Sequence, residues 1–459
     1  MWETQENNGI IFSEIRKLEN TAVERRGLNM SKRIENQNPW YRLDLSAIVY
    51  PTLQRRSFSS VYRLCVVLRE TVEPDLLQKA LDRTLPRFPT FKVAMRKGVF
   101  WRYLEPNDRP GPFVKPDIAN PCMPMSFQND NRYLIRVYYY QNRIALEVFH
   151  SLSDGGGAMY LLRTMTAVYL RLKGYRIPVG QGVLDLCEDP DPEELEDAYI
   201  RYASSRVRPP RSREKTYRIR GTREPFYTLN IITGLLPVKQ VLSVAKAYQV
   251  SVTEYLNAVL LHALLQKQKN DHVFRELPVS IAMPVNLRRF FPSRTLRNFI
   301  TMVYPSVDPR MGEYSFEEIL MQVHHYMRYY INNKFLNADI TTNAAVTKHP
   351  LIRIAPLFLK DLVVRQFYKR VQDQQSSAGL TNLGVVETPE EMRAHIERFD
   401  VLMGQPFSAR TNCAVVSYGE TLSVSFASSI VETDVERLFF RRLVQDGIHV
   451  KIESNRKER

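Results

Sequence analysis

Residues 147–162 read EVFHSLSDGGGAMYLL and contain the most informative pattern in the chain. A run typical of a β-strand ends on His150, a short polar stretch leads to Asp154, and three glycines precede a run typical of a helix. Side chains of a strand alternate between its two faces, so His150 shares a face with the apolar residues two, four and six positions before it. A histidine that only packs and a histidine that takes part in catalysis both fit these residues.

The sequence around this stretch predicts an α/β protein. Strand-like and helix-like periods alternate from residue 60 onward. The first half predicts a strand at 60–70, a helix from Pro74 that Pro89 ends, hairpins about Gly98 and about Gln141 and Asn142, and a helix at 157–173. The second half predicts strands at 226–233, 277–283, 299–306, 379–386, 411–417 and 421–428, and helices at 236–249, 252–268, 315–333, 350–372 and 432–446.

Composition predicts how the chain divides. Its 459 residues are enough for two lobes that each have a core. We expect an N-terminal lobe at 40–200, a basic linker at 201–225 and a C-terminal lobe at 226–459. Residues 1–39 are expected to be a tail, and Met30 begins a stretch that resembles a natural start.

Charge and apolar content narrow the class of protein. The 64 basic and 49 acidic residues leave a net charge of +15, which fits an anionic small molecule, a membrane surface or a nucleic acid. No zinc finger, recognition helix or aromatic RNA platform is evident, so no nucleic-acid partner is expected. The longest apolar run, at 256–265, is about half of the roughly 20 residues that a membrane-spanning helix needs. No transmembrane segment and no secretory signal are expected, which predicts a cytoplasmic protein.

The four cysteines are scattered and do not form a close pair. This spacing argues against a disulfide framework and against a zinc cluster. We therefore expect free thiols, no metal site and no bound cofactor.

The motif HSLSDGG resembles the His-x-x-x-Asp-Gly motif of the chloramphenicol acetyltransferase-like superfamily, which includes the condensation domains of peptide synthetases. The resemblance extends over about residues 40–445. Its alcohol acetyltransferase branch is similar in these segments, in this order: LDLSAIVYP, SVYRLCVVLRE, TVEPDLLQKAL, LPRFPTFKVAMRKGVFWRYLEPN, SVTEYLNAVLLHAL, MPVNLRRFFPSRTLRNF and LTNLGVV.

This resemblance implies two α/β lobes in a V arrangement with a tunnel between them. It implies an acyl group, acetyl in the first instance, carried as a thioester on coenzyme A, and a small-molecule alcohol or amine as the acceptor. His150 would be the general base, because a neutral imidazole with a pKa near ~6.5 accepts a proton at neutral pH.

The resemblance also implies roles for other motif residues. Asp154 would hold an arginine rather than assist the imidazole, and Arg288 matches that position, with Arg289 as the alternative. Gly155 would keep the turn free of a side chain. Thr381 and Asn382 match a Ser-Asn pair of the family and would donate hydrogen bonds to an oxyanion, although a purely structural role fits both equally.

Three alternatives stay open from the sequence. The donor could be an acyl carrier protein instead of coenzyme A. The chain could be a non-catalytic member of the fold that binds a partner. The aromatic residues Trp101, Tyr103 and Tyr138 to Tyr140 could line an acceptor channel, although core packing is the expected role. Asn298, in the segment LRNF, is expected to be a turn or strand-pairing residue.

Overall fold

The computed structural model describes residues 40–54, 58–207, 214–348, 350–370, 375–404 and 410–456. The expected tail at 1–39, including Met30, lies outside these residues, as do 208–213 of the expected basic linker. The division into lobes at 40–200 and 226–459 stays a prediction.

The first half begins with short elements, contributes strands to two sheets and contains one long helix. Its strands are β1 (Tyr41–Arg42), β2 (Val61–Leu68), β3 (Val93–Lys97), β4 (Arg102–Pro106), β5 (Lys115–Pro116), β6 (Ile135–Tyr140) and β7 (Arg143–Phe149). Its helices are α1 (Val49–Leu53), α2 (Pro74–Thr84), α3 (Gly155–Leu172) and α4 (Ala198–Tyr202). Both expected hairpins are confirmed, because β3 pairs with β4 and β6 with β7, each antiparallel.

The second half contributes the larger sheet. Its strands are β8 (Asn230–Pro237), β9 (Val279–Asn286), β10 (Ile300–Val303), β11 (Ser306–Val307), β12 (Ala378–Val385), β13 (Ile396–Leu402), β14 (Thr411–Tyr418), β15 (Thr421–Ser428) and β16 (Lys451–Ser454). Its helices are α5 (Val238–Ala247), α6 (Val252–Asn270), α7 (Phe316–Tyr330), α8 (Asn333–Lys348), α9 (Pro350–Ile354), α10 (Leu357–Arg370), α11 (Glu390–Arg393) and α12 (Asp434–Gln445).

Strand pairing links the two halves. The first sheet has the order β13-β2-β7-β6-β5, so β13 from the second half forms its edge, with Phe399 opposite Val66. The second sheet runs β10-β9-β12-β14-β15-β8-β16, and β11 also pairs with β9. A third, small sheet has the order β1-β4-β3. The expected α/β class is confirmed.

The second sheet contacts a different core on each face. Leu380 and Val415 belong to the core of the second half, whereas Ala414 and Val416 belong to the core built mainly from the first half. This alternation follows from the period of two along β12 and β14. Ala414 and Val416 therefore face the first-half elements that carry residues 150–154, which we call the His150 turn.

Some elements were not predicted, and one predicted helix boundary was wrong. The prediction missed β13, β16 and α8, and it placed the start of the long helix at residue 157 although α3 begins at Gly155. Within the described residues, no helix is long and apolar enough to cross a membrane.

Candidate active site

His150 lies immediately after β7, half-buried between two tyrosine rings. Its backbone N–H donates to the Ser60 carbonyl at 2.8 Å, which fixes the end of β7 against the residue before β2. Tyr50, on α1, stacks on the imidazole with ring centroids 4.3 Å apart, and Tyr62 meets it edge-on at 4.9 Å. These contacts restrict the ring to one orientation.

The side chain of Asn298 determines which imidazole nitrogen carries the proton. Its Nδ2 donates to Asp44 Oδ2 at 3.1 Å and to the His150 carbonyl at 3.0 Å, and a backbone carbonyl can only accept. The amide oxygen must therefore face His150 Nδ1, 3.1 Å away. Because an amide oxygen accepts but does not donate, Nδ1 holds the hydrogen and Nε2 is left as the basic nitrogen.

Burial lowers the pKa of His150 below its ordinary value. Weaker influences act the other way, namely hydrogen bonds at the ring and the carboxylate of Asp154. The imidazole is consequently neutral at pH 7, which is the state that accepts a proton.

Asp44 is the inner end of this hydrogen-bonded chain. The residue is fully buried, and its other oxygen accepts from the Ala47 N–H at 2.8 Å. Burial raises the pKa of the Asp44 carboxyl, and the Arg297 guanidinium, 3.8 Å away, opposes that effect. Asp44 thus orients Asn298, and Asn298 orients the imidazole.

Asp154 accepts three hydrogen bonds, and two of them connect the two halves of the chain. Oδ1 accepts from Gly157 N at 3.0 Å and so caps α3, while Oδ2 accepts from Phe299 N and Arg288 Nη1, each at 2.8 Å. Among the described residues, Asp154 forms no hydrogen bond with the imidazole of His150.

Arg288 is the arginine that pairs with Asp154, and Arg289 is exposed. The Arg288 guanidinium also donates to the carbonyls of Thr295 at 2.9 Å and Arg297 at 2.5 Å. It therefore ties the segment 295–299, which includes Asn298, to the turn that follows His150.

The three glycines lie in the first turn of α3 rather than before it, and none has a positive φ. Close approach explains them better than turn geometry. A Cβ on Gly157 would lie 2.0 Å from the Leu296 carbonyl oxygen, which is far inside contact distance. At Gly155 the nearest atom is a Leu383 methyl at 2.8 Å, and that flexible side chain has more freedom to move.

Thr381 and Asn382 are neighbours in β12, and their side chains lie on opposite faces of the strand. Asn382 faces α6, where its Nδ2 donates to Thr253 Oγ1 at 3.0 Å, and its Oδ1 accepts from Gly384 N at 2.8 Å. Thr381 shares the opposite face with Leu383, which packs against the first core. Of the two candidates, Thr381 is the one on the face toward the His150 turn.

Sequence reasoning missed four residues of this site, which are Asp44, Tyr50, Tyr62 and Asn298. Asn298 was expected to pair strands or form a turn, but it binds the imidazole. Asp44 and Tyr50 lie in the segment LDLSAIVYP, and their proximity to His150 depends on tertiary contacts across about 100 residues. The described residues contain no cluster of histidine, cysteine or carboxylate side chains that could hold a metal ion.

No protein-family model matches the sequence, and no curated protein is detectably similar to it. Solved structures are similar in fold. The trichothecene 15-O-acetyltransferase TRI3 from Fusarium sporotrichioides is 12% identical, with a TM-score of 0.58 over 88% of this chain and 94% of that one. TRI101 of F. sporotrichioides, complexed with coenzyme A and T-2, is 12% identical, with a TM-score of 0.59 over 90% and 99%.

A condensation domain shares the same architecture. The first condensation domain of the calcium-dependent antibiotic synthetase, in complex with a substrate analogue, is 13% identical, with a TM-score of 0.59 over 90% of this chain and all of that one. The chain therefore has the fold of the chloramphenicol acetyltransferase-like and condensation-domain superfamily, as the sequence resemblance predicted. The V arrangement of the lobes and its tunnel stay predictions.

Proposed function

We propose that this chain, which has the fold of the chloramphenicol acetyltransferase-like superfamily, is an acyltransferase that moves an acyl group from a thioester to an alcohol or amine. The hydrogen bond between His150 Nδ1 and Asn298 Oδ1 is the observation that carries the proposal. It leaves Nε2 without a proton on a neutral, oriented imidazole, which is what a general base requires.

The proposed reaction has two steps. In the first, the acceptor oxygen or nitrogen attacks the thioester carbonyl carbon, and its proton moves to His150 Nε2 as the tetrahedral oxyanion forms. In the second, the carbon–sulfur bond breaks, the electron pair leaves with sulfur, and the imidazolium returns the proton to the thiolate. The products are an ester or amide and a free thiol, and no metal or redox cofactor takes part in these steps.

Two groups of residues would support this reaction. Thr381 would donate its hydroxyl hydrogen to the oxyanion, because it lies on the β12 face that is directed toward the His150 turn. Asp154 and Arg288 would keep the turn in place, with Asp154 bound to Arg288 and to two backbone N–H groups. Asn382 would shape the strand, since both ends of its amide are used within the second half.

Coenzyme A is the proposed donor carrier. A similar fold has been solved with coenzyme A, and the net charge of +15 favours an anionic co-substrate. The second candidate is an acyl group on a carrier protein, which the similarity to a condensation domain supports. A small-molecule alcohol or amine would be the acceptor with either donor.

Thiol release tests the proposal. The purified chain is incubated with acetyl-coenzyme A and a panel of alcohols and amines, and free thiol is measured over time. We expect acceptor-dependent release, and we expect His150→Ala to reduce it by about 10²- to 10⁴-fold.

His449→Ala is the matched control, because His449 is an exposed histidine on the second half. It should release thiol at the wild-type rate. The same panel run with an acylated carrier protein separates the two donors. A folded protein that released no thiol from either donor, or a His150→Ala variant as active as wild type, would contradict the proposal.

A further inference from the structure

The helix α10 presents an apolar face to solvent, which is the reverse of an ordinary surface helix, although Leu357 at its start is buried. Phe358 and Val363 are 67% and 66% exposed, and Leu359 and Leu362 are also exposed. Residues 358 and 362, and 359 and 363, are four positions apart, so they form two adjacent rows on one helix face.

The tip of the β3–β4 hairpin extends this surface. The Leu357 N–H donates to the Val99 carbonyl at 2.9 Å, and Lys360 Nζ donates to the Phe100 carbonyl at 2.9 Å. Val99 and Phe100 are themselves exposed. We call the surface formed by Val99, Phe100, Phe358, Leu359, Leu362 and Val363 the apolar platform.

Polar contacts hold α10 in this orientation. Asp361 accepts two hydrogen bonds from Arg102, at 2.7 and 2.8 Å, and one from Thr52 Oγ1 at 2.8 Å. Arg365 Nε donates to the Thr52 carbonyl at 3.0 Å. The charged side of the helix is therefore bound to the protein, and the apolar side remains outside.

Basic residues outnumber acidic residues in the segments that form the platform. In the segments 96–102 and 353–365 there is one acidic residue, Asp361, and it is bound to Arg102. The same segments contain six basic residues. Arg96 is paired with Glu105, and Arg102 and Arg365 lie on the side of α10 that is bound to the protein. The cations that remain beside the platform are Lys97, Arg353 and Lys360. Aromatic and aliphatic side chains flanked by lysine and arginine are the combination that binds at the interface of an anionic membrane.

We propose that the apolar platform docks on an anionic lipid surface. A second copy of the chain is a poorer occupant, because a symmetric contact would bring two sets of these cations together. The platform is also connected to the candidate site, since Thr52 and Tyr50 both belong to α1 and Tyr50 stacks on His150. The inference holds whether or not the chain is an acyltransferase.

Vesicle co-sedimentation of the full chain tests this docking. We compare vesicles of phosphatidylcholine mixed with phosphatidylserine against vesicles of phosphatidylcholine alone. The wild type should sediment with the mixed vesicles, and added salt should weaken this binding. The double substitution Phe358→Ser with Leu362→Ser should lower the partition coefficient at least about tenfold, because each removed side chain no longer inserts into the interface.

The matched control is Phe274→Ser with Met311→Ser, which alters two exposed apolar side chains outside the platform. It should bind like the wild type, and circular dichroism melting should show that both double variants are folded. A wild type that ignores mixed vesicles, or a platform variant that binds them equally well, would overturn the proposal. So would sedimentation velocity showing that the platform variant converts a dimer to a monomer without changing vesicle binding.

Discussion

The His150 turn and the helix α10 are each held by an aspartate–arginine pair, but the first lies inside the molecule and the second exposes apolar residues to solvent. In each region an aspartate binds an arginine far away in sequence: Asp154 binds Arg288, and Asp361 binds Arg102. Around the turn, the polar contacts orient an imidazole inside the molecule. On α10 they fix a helix whose apolar residues face outward. In both regions, the polar pairs determine which side of the segment faces the rest of the protein. Apolar content alone does not determine it.

The two aspartates also differ in what else they hold. Asp154 accepts from two backbone N–H groups as well as from Arg288, so it caps a helix and ties in the segment 295–299. Asp361 accepts only side-chain donors among its contacts within the described chain, from Arg102 and Thr52. Removing the first should therefore damage the fold more than removing the second.

Asp154→Ala should have the largest effect on stability. It leaves the Arg288 charge and two backbone donors without their acceptor, which we expect to lower the free energy of unfolding by about 3 to 5 kcal/mol. Denaturant titration measures this change, with Asp154→Asn as the milder control that keeps an oxygen acceptor for the cap. An unchanged unfolding midpoint in Asp154→Ala would show that the pair with Arg288 does not stabilise the turn.

Asn298→Ala should reduce kcat/KM for thiol release by about 10- to 100-fold, less than the loss of His150 itself. The hydrogen bond that His150 Nδ1 donates to Asn298 Oδ1 raises the pKa of His150, so its loss should lower that pKa further. A base is active above its pKa, and the acid limb of the pH profile should therefore move to lower pH in the variant. An unshifted acid limb would mean that Asn298 does not bind the imidazole during the reaction.

Asp361→Ala should have the smallest effect, about 1 to 2 kcal/mol in the free energy of unfolding. No backbone donor loses its partner, so the cost is confined to Arg102 and Thr52. Denaturant titration beside Asp154→Ala compares the two aspartates directly. If both variants lost the same free energy of unfolding, the backbone hydrogen bonds of Asp154 would not contribute to stability beyond its pair with Arg288.

Local patterns made much of the fold predictable. The period of two predicted β6 and β7, and Pro74 with an apolar face predicted α2, whose Leu77, Ala80 and Leu81 are buried. The strand β13 was missed because it pairs with β2, more than 300 residues earlier, so no nearby sequence indicates it. The outward orientation of the apolar residues of α10 was not predicted, since a sequence does not show which face of a helix is turned to water.

The candidate site was predictable only where the motif is contiguous. His150 and Asp154 lie in one short stretch, and the family resemblance indicated Arg288 as the partner of the aspartate. Asn298 is ten residues beyond Arg288. Its contact with the imidazole depends on how Arg288 and Asp154 hold the segment 295–299. Asp44, at the other end of the hydrogen-bonded chain, carries no local signal of its role.

Nitrogen-15 NMR of histidine-labelled protein tests the central claim most directly, with His150→Ala used to assign the signals. At pH 7 we predict a neutral ring in which Nδ1 carries the hydrogen and Nε2 is bare. A ring with its hydrogen on Nε2, or an imidazolium at that pH, would contradict the account of His150 as a general base.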